Sequence, residues 1–129
     1  MQREKLRDIT IAYVEDEPSI AQLLVSGLGL FGIRVRPIYM SGEALLNSVC
    51  QPEFAEADIL FFDVRLPQMT GVELAAELRA RGEQRPFVLV SAWPSPPRDV
   101  LEEVNAVFLA KPFDFPKLVR TIQFLAERP

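Results

Sequence analysis

Ile59-Leu60-Phe61-Phe62-Asp63-Val64-Arg65-Leu66-Pro67 carries four bulky apolar residues into a carboxylate and then into a loop that reaches a proline. A run with no polar face fits a strand covered on both sides, as in a parallel sheet flanked by helices. Asp63 then stands at the carboxyl end of that strand. A carboxylate there is costly unless it is hydrated, paired or bound to a metal. Such strand ends are also where open α/β sheets place their ligands.

Working outward, short apolar runs alternate with longer amphipathic segments, the pattern of repeated β-α units, and five units can be counted. The first strand reads Ile9 to Val14. Its helix carries Ile20, Leu23, Leu24, Gly27, Leu28 and Phe31 at one-face spacing, with Asp16 as N-cap, Pro18 in the first turn and Gly32 at the end. Ile33 to Tyr39 is less uniformly apolar, as an edge strand would be. Ser41 is expected to cap a helix running through Cys50 that buries Leu45 and Val49. After the central strand, a helix beyond Gly71 carries Leu74, Ala75 and Leu78 and stops at Gly82.

Phe87 to Ser91 forms the fourth strand. Trp93-Pro94-Ser95-Pro96-Pro97 follows, where fixed φ angles and missing N–H groups delay the next helix, so that it spans only about Pro97 to Asn105 with Ser95 as its cap. Trp93 is read as a loop residue over the rim of the site. Ala106 to Ala110 is the fifth strand, and Asp114 caps a last helix with Leu118, Ile122 and Leu125 on one side. Right-handed crossovers leave few topologies for five such units. The simplest is a doubly wound five-stranded parallel α/β sheet, order 2-1-3-4-5, with helices on both faces and strands 1 and 3 adjacent at the switch point.

The chain has 129 residues, 49% of them hydrophobic and 25% charged, which suits one globular domain with a real core. No apolar stretch is long enough to span a bilayer, and the mixed charges of Met1 to Asp8 do not form a signal peptide or anchor. A cytoplasmic location is the expectation. Cys50 is the single cysteine and histidine is absent, which argues against internal disulfides, zinc sites and Ser/His or Cys/His triads. A net charge of -4 disfavours direct binding to nucleic acid. Arg34/Arg36, Arg79/Arg81 and Lys117/Arg120 are dispersed and read as solvated surface.

With the order 2-1-3-4-5, Glu15 and Asp16, Asp63, Ser91 and Lys111 converge at the carboxyl ends of four strands. Three crowded carboxylates repel one another, so a hard divalent cation is needed to keep them ionised, and an incomplete oxygen cage suits Mg²⁺ with retained waters. Lys111 adds a point charge and Ser91 a hydroxyl, both useful to a phosphoryl group. Asp63 is then the candidate nucleophile, able to form an acyl phosphate.

Glu15-Asp16-Glu17, Asp63 to Gly71, Ser91-Ala92 and Phe108-Leu109-Ala110-Lys111-Pro112-Phe113 together resemble the motifs of bacterial two-component response-regulator receiver domains, the CheY-like fold, over about Ile9 to Ala126. The wording around Asp63, with Arg65 two residues on, resembles FixJ-type regulators. The resemblance implies that Asp63 accepts a phosphoryl group from a phosphohistidine on a sensor kinase or phosphotransfer protein. It implies that Asp16, Asp63 and the backbone carbonyl of Arg65 bind Mg²⁺, with Glu15 acting mostly through water. Lys111 would contact the phosphoryl oxygens, Ser91 would move to hydrogen-bond them, and Phe108 would turn inward as the switch aromatic. Lys111-Pro112 would be a cis peptide. Such a domain is a signalling module rather than an enzyme, although it catalyses its own phosphorylation and dephosphorylation.

Four positions depart from the usual pattern. Phe108 stands where Tyr is common, Ser91 where Thr is commoner, and Thr70 where an acidic residue usually precedes the glycine, a change read as neutral. The prolines after Ser91 shorten the segment before the fifth strand. The surface formed by the fourth helix, fifth strand and last helix is the expected site for a downstream target or a self-dimer. The principal alternative is a degenerate receiver that binds a partner without being phosphorylated. A flavodoxin-like cofactor protein would need a hydroxyl- or glycine-rich phosphate loop where this chain has Glu15-Asp16-Glu17. An aspartyl-phosphate hydrolase would need a second Asp where residue 65 is Arg.

Overall fold

The computed structural model describes residues 8–92 and 94–127. Eleven elements follow one another: β1 Ile9–Val14, α1 Pro18–Gly29, β2 Ile33–Tyr39, α2 Gly42–Leu46, α3 Pro52–Glu56, β3 Ile59–Asp63, α4 Gly71–Ala80, β4 Phe87–Ser91, α5 Arg98–Val104, β5 Ala106–Ala110 and α6 Phe115–Ala126. The strands form one parallel sheet in the order β2-β1-β3-β4-β5, the doubly wound order expected from the sequence. Residues 1–7 and Trp93, and with them the readings of the N-terminus and of Trp93 at the rim, lie outside the described residues.

Alternation along the strands divides the core into two layers, because successive side chains leave opposite faces of a sheet. Ile11, Tyr13, Phe61, Val88 and Val90 point to the layer closed by α1 and α6, whose Ala21, Leu24, Leu28, Leu118, Ile122 and Leu125 complete it. Ala12, Val14, Leu60, Phe62 and Leu89 point to the other layer, closed by Leu45, Phe54, Leu74, Leu78 and Val104 from α2 to α5. Every residue of β3 and β4 is buried. The edge strand β2 alternates buried and exposed, which is why it reads as less uniformly apolar. Gly27 has a specific job: a methyl built on it would collide with the Phe115 ring, so the glycine lets α6 seat against α1.

Several local expectations are corrected. The helix predicted from Ser41 through Cys50 ends at Leu46. Ser41 does cap it, its Oγ accepting from the Ala44 N–H at 3.0 Å, but the Ser48 hydroxyl donates to the Ala44 carbonyl at 2.9 Å within the turn that follows. Such local bonds compete with helix continuation. A separate short helix, α3, then starts at Pro52 and buries Phe54, while Val49 is only half-buried. Glu17, not Asp16, takes the N-cap position of α1, and it does so with no side-chain cap, so the Asp16 carboxylate is left to the site. Ser95 does not cap α5; Pro97 precedes the helix, and the Ser95 hydroxyl donates to the Pro96 carbonyl at 2.8 Å.

Arg79 is the largest departure from a solvated-surface reading. Its guanidinium lies over the Phe87 ring at 3.6 Å. It donates to the carbonyls of Val104 (2.8 Å), Asn105 (3.0 Å), Glu83 (2.7 Å) and Arg85 (3.0 Å). It therefore ties α4 to the end of α5, where the left-handed Asn105 (φ 54°) turns the chain into β5. Arg34, Arg36, Arg81, Lys117 and Arg120 are exposed, as expected.

Candidate functional site

Parallel register brings the predicted residues together. Val14 pairs with Phe62, Asp63 with Val90 and Ser91 with Ala110, so four strands end at one level. The ladder continues one step beyond them, with Glu15 N–H donating to the Tyr39 carbonyl, Val64 N–H to Val90 and Lys111 N–H to Ser91, each at 2.9 Å. Glu15, Asp63, Ser91 and Lys111 are thereby placed by sheet backbone, and Asp16 follows Glu15 at the bend that leads into α1.

Glu15, Asp63 and Ser91 are buried at 1%, 6% and 2% exposure, so their polar groups need protein partners. Lys111 supplies one to each of the two carboxylates. Its Nζ lies 2.8 Å from Glu15 Oε1 and 2.8 Å from Asp63 Oδ2, a cation bridging two buried carboxylates. The Tyr13 hydroxyl donates to the same Glu15 Oε1 at 2.7 Å, and the Glu17 N–H reaches Oε2 at 3.3 Å. Asp63 Oδ1 accepts from the Arg65 N–H at 3.0 Å, which orients the carboxylate. Each of Glu15, Asp16 and Asp63 offers one oxygen within 4.8 Å of the others.

The electrostatics follow from this crowding. Burial pushes the Glu15 carboxyl above the ordinary glutamate range, the hydrogen bonds from Lys111 and Tyr13 pull it back, and the charge of Asp63 raises it again. Burial opposes the charge on Lys111, yet the hydrogen bonds and charges of Asp63 and Glu15 outweigh it and hold the ammonium above the usual lysine value. Burial, reinforced by the Glu15 carboxylate, pushes the Tyr13 hydroxyl far above the tyrosine range, so it serves as a donor.

The loop after Asp63 is held from below. A methyl on Gly71 would fall onto the Asp63 carbonyl oxygen, with the carbonyl carbon at 3.0 Å and Val64 Cα at 3.1 Å, so only glycine fits against this backbone. Gly71 N–H donates to the Val64 carbonyl at 2.9 Å. Thr70 has a local role as the N-cap of α4. Its Oγ1 accepts from the Glu73 N–H at 3.0 Å while Glu73 Oε1 accepts from the Thr70 N–H at 2.9 Å, a reciprocal capping box that starts α4. Lys111-Pro112 is cis. Phe108 is half-buried against the layer of α4 and α5.

Sequence reasoning missed Tyr13, Gly71 and Arg79. Tyr13 had a readable signal, since a residue two before Glu15 on a strand shares its face. Gly71 and Arg79 depend on backbone from distant segments, which no local pattern shows.

A doubly wound 2-1-3-4-5 sheet with an acidic cluster at its carboxyl edge and a lysine paired into it defines a CheY-like α/β domain. The chain belongs to the response regulator receiver domain family, whose model matches residues 11–123. It is 35% identical over 124 residues to a probable transcriptional regulatory protein of Picosynechococcus sp., covering 92% of this chain and 49% of that protein. It is 31% identical over 109 residues to the response regulator protein TmoT of Ectopseudomonas mendocina, covering 83% of this chain and 48% of that one. The chain thus spans about half the length of the curated relatives it matches. Among solved structures, a putative response regulator from Chloroflexus aurantiacus J-10-fl superposes with a TM-score of 0.81 at 27% identity, covering 95% of this chain and 100% of that one. FixJ-N superposes with a TM-score of 0.78 at 25% identity, covering 95% and 97%.

Proposed function

We propose that this chain, as a single receiver domain over residues 1–129 with its core at about 9–126, accepts a phosphoryl group on Asp63 from a phosphohistidine of a sensor kinase or phosphotransfer protein. The observation that carries this reading is Lys111 bridging Asp63 and Glu15 inside a cluster of three carboxylates. In the transfer, an Asp63 carboxylate oxygen forms a bond to phosphorus as the P–N bond to the donor imidazole breaks, and the electron pair leaves with the imidazole. Lys111, already on Asp63 Oδ2, stands ready to take the phosphoryl oxygens, and the buried Ser91 supplies the hydroxyl that follows them. A small phosphodonor would serve in place of the kinase, and hydrolysis at the same site would reset the domain.

The donor set of Glu15, Asp16 and Asp63 is all-oxygen and acidic and fits Mg²⁺, and the Arg65 backbone carbonyl would be a further ligand. Bound there, the ion would offset the carboxylates' charge and attract phosphoryl oxygens. Phosphorylation would then shift Ser91 and Phe108 between two packings and alter the face of α5, β5 and α6, where a downstream protein or a second copy would dock. A cytoplasmic location goes with this reading; among the described residues no helix is long and apolar enough to cross a membrane.

Incubation with Mg²⁺ and a small phosphodonor tests the proposal. The expected result is a base-labile mass gain of one phosphoryl group, absent in Asp63→Asn. No gain in the parent protein would favour a phosphorylation-independent binding module instead.

A further inference from the structure

Tyr13 carries a buried hydroxyl next to the acidic cluster. Its ring is fully buried in the α1/α6 layer and meets the Phe61 ring edge-on, with centroids 6.2 Å apart. Core packing needs only the ring. The hydroxyl adds nothing to that layer, yet it reaches along the strand to Glu15 Oε1 at 2.7 Å.

The Glu15 side chain is fully shielded from solvent, so its orientation is set by its partners. Oε1 already accepts two strong bonds, from Tyr13 and Lys111, whereas among the described residues Oε2 accepts only the 3.3 Å bond from Glu17 N–H. Oε2 therefore retains the lone-pair capacity that a cation or its water would use. Lys111 is shared with Asp63, and a phosphoryl group on Asp63 would compete for it. Tyr13 is the partner of Oε1 that such competition does not touch, since its ring is locked in the core.

From this geometry we infer that Tyr13 is a positioning residue of the metal site, holding Glu15 by Oε1 so that Oε2 faces the cation, both before Lys111 engages a phosphoryl group and after. The inference rests on the Mg²⁺ reading above. A buried tyrosine hydroxyl thus links the hydrophobic layer of α1 and α6 to the acidic cluster on the sheet edge.

Isothermal titration with MgCl₂ tests it on four proteins: the parent, Tyr13→Phe, Glu15→Gln and the double variant. Tyr13→Phe keeps the ring and removes one oxygen. It should weaken Mg²⁺ binding about tenfold, the size of one hydrogen bond to a charged group. In the Glu15→Gln background the same change should have no effect, because the carboxylate it acts through is gone. A purely structural role would lower the melting temperature without this dependence on Glu15. Should Glu15→Gln fail to fold, Glu15→Asp takes its place, withdrawing the carboxylate from the hydroxyl by one methylene. Unchanged or tighter Mg²⁺ binding in Tyr13→Phe, or an equal loss in both backgrounds, overturns the inference while leaving the metal site standing. No Mg²⁺ binding by the parent overturns both.

Discussion

Replacing Arg79 with methionine should cost this domain about 2.5–3 kcal/mol of stability, although Arg79 lies on a half-exposed helix face and reads in sequence as surface. The magnitude comes from its partners. The guanidinium donates to four carbonyls, those of Val104, Asn105, Glu83 and Arg85, and lies over Phe87 at 3.6 Å. A net hydrogen bond is worth about 1 kcal/mol, and each of these is worth roughly half that because water can replace part of the donor set. Stacking on Phe87 adds about 0.5–1 kcal/mol. Methionine retains the apolar stem and its packing, so the loss isolates the guanidinium, its hydrogen bonds and its stacking together. Urea unfolding should show a lower midpoint at unchanged slope. Amide exchange should accelerate at the end of α5 and the start of β5, where two of the carbonyls lie. Arg79→Lys should recover less than half the loss, because an ammonium cannot span four acceptors in one plane. A variant within about 0.5 kcal/mol of the parent, the usual range for surface substitutions, or a lysine variant equal to the parent, would refute the reasoning.

Three further outcomes follow from the site. Lys111→Met leaves two buried carboxylates facing each other, so the metal-free protein should lose about 3 kcal/mol, while Mg²⁺ should bind more tightly than to the parent and stabilise it more; thermal melts with and without Mg²⁺ decide this, and equal stabilisation of the two proteins would count against it. Gly71→Ala sets a methyl against the Asp63 backbone, and the forced shift should destabilise by about 1–3 kcal/mol and weaken Mg²⁺ binding; an alanine variant as stable as the parent would show that the loop has room. Because Glu15 is held above the ordinary glutamate value of 4.5, the folded chain takes up a proton there before the unfolded chain does. In the absence of metal, this one group adds stability as pH falls from neutrality toward that value. Mg²⁺ affinity should fade over the same window, more steeply in the parent than in Glu15→Gln, and parallel pH profiles for the two would remove Glu15 as the cause.

The strands, their order and the convergence of Glu15, Asp16, Asp63, Ser91 and Lys111 were legible in the sequence for a physical reason. A parallel sheet covered on both faces writes itself as apolar runs separated by amphipathic segments, and each run ends in the residue that the sheet presents at its edge. Asp63 could be recognised because a carboxylate closing Ile59 to Phe62 has no apolar explanation. The capping of α2 by Ser41 and of α6 by Asp114 was equally local. What only the tertiary structure decided depends on atoms far apart in the chain: Arg79 reaching the carbonyls that end α5, Gly71 pressed on the backbone of Asp63, Gly27 making room for Phe115, and the Tyr13 hydroxyl sharing Glu15 with Lys111. Local periodicity records which face of an element is buried. It does not record which distant donor arrives there, and at this site the distant donor, Lys111, lies between the two carboxylates that the sequence could only place side by side.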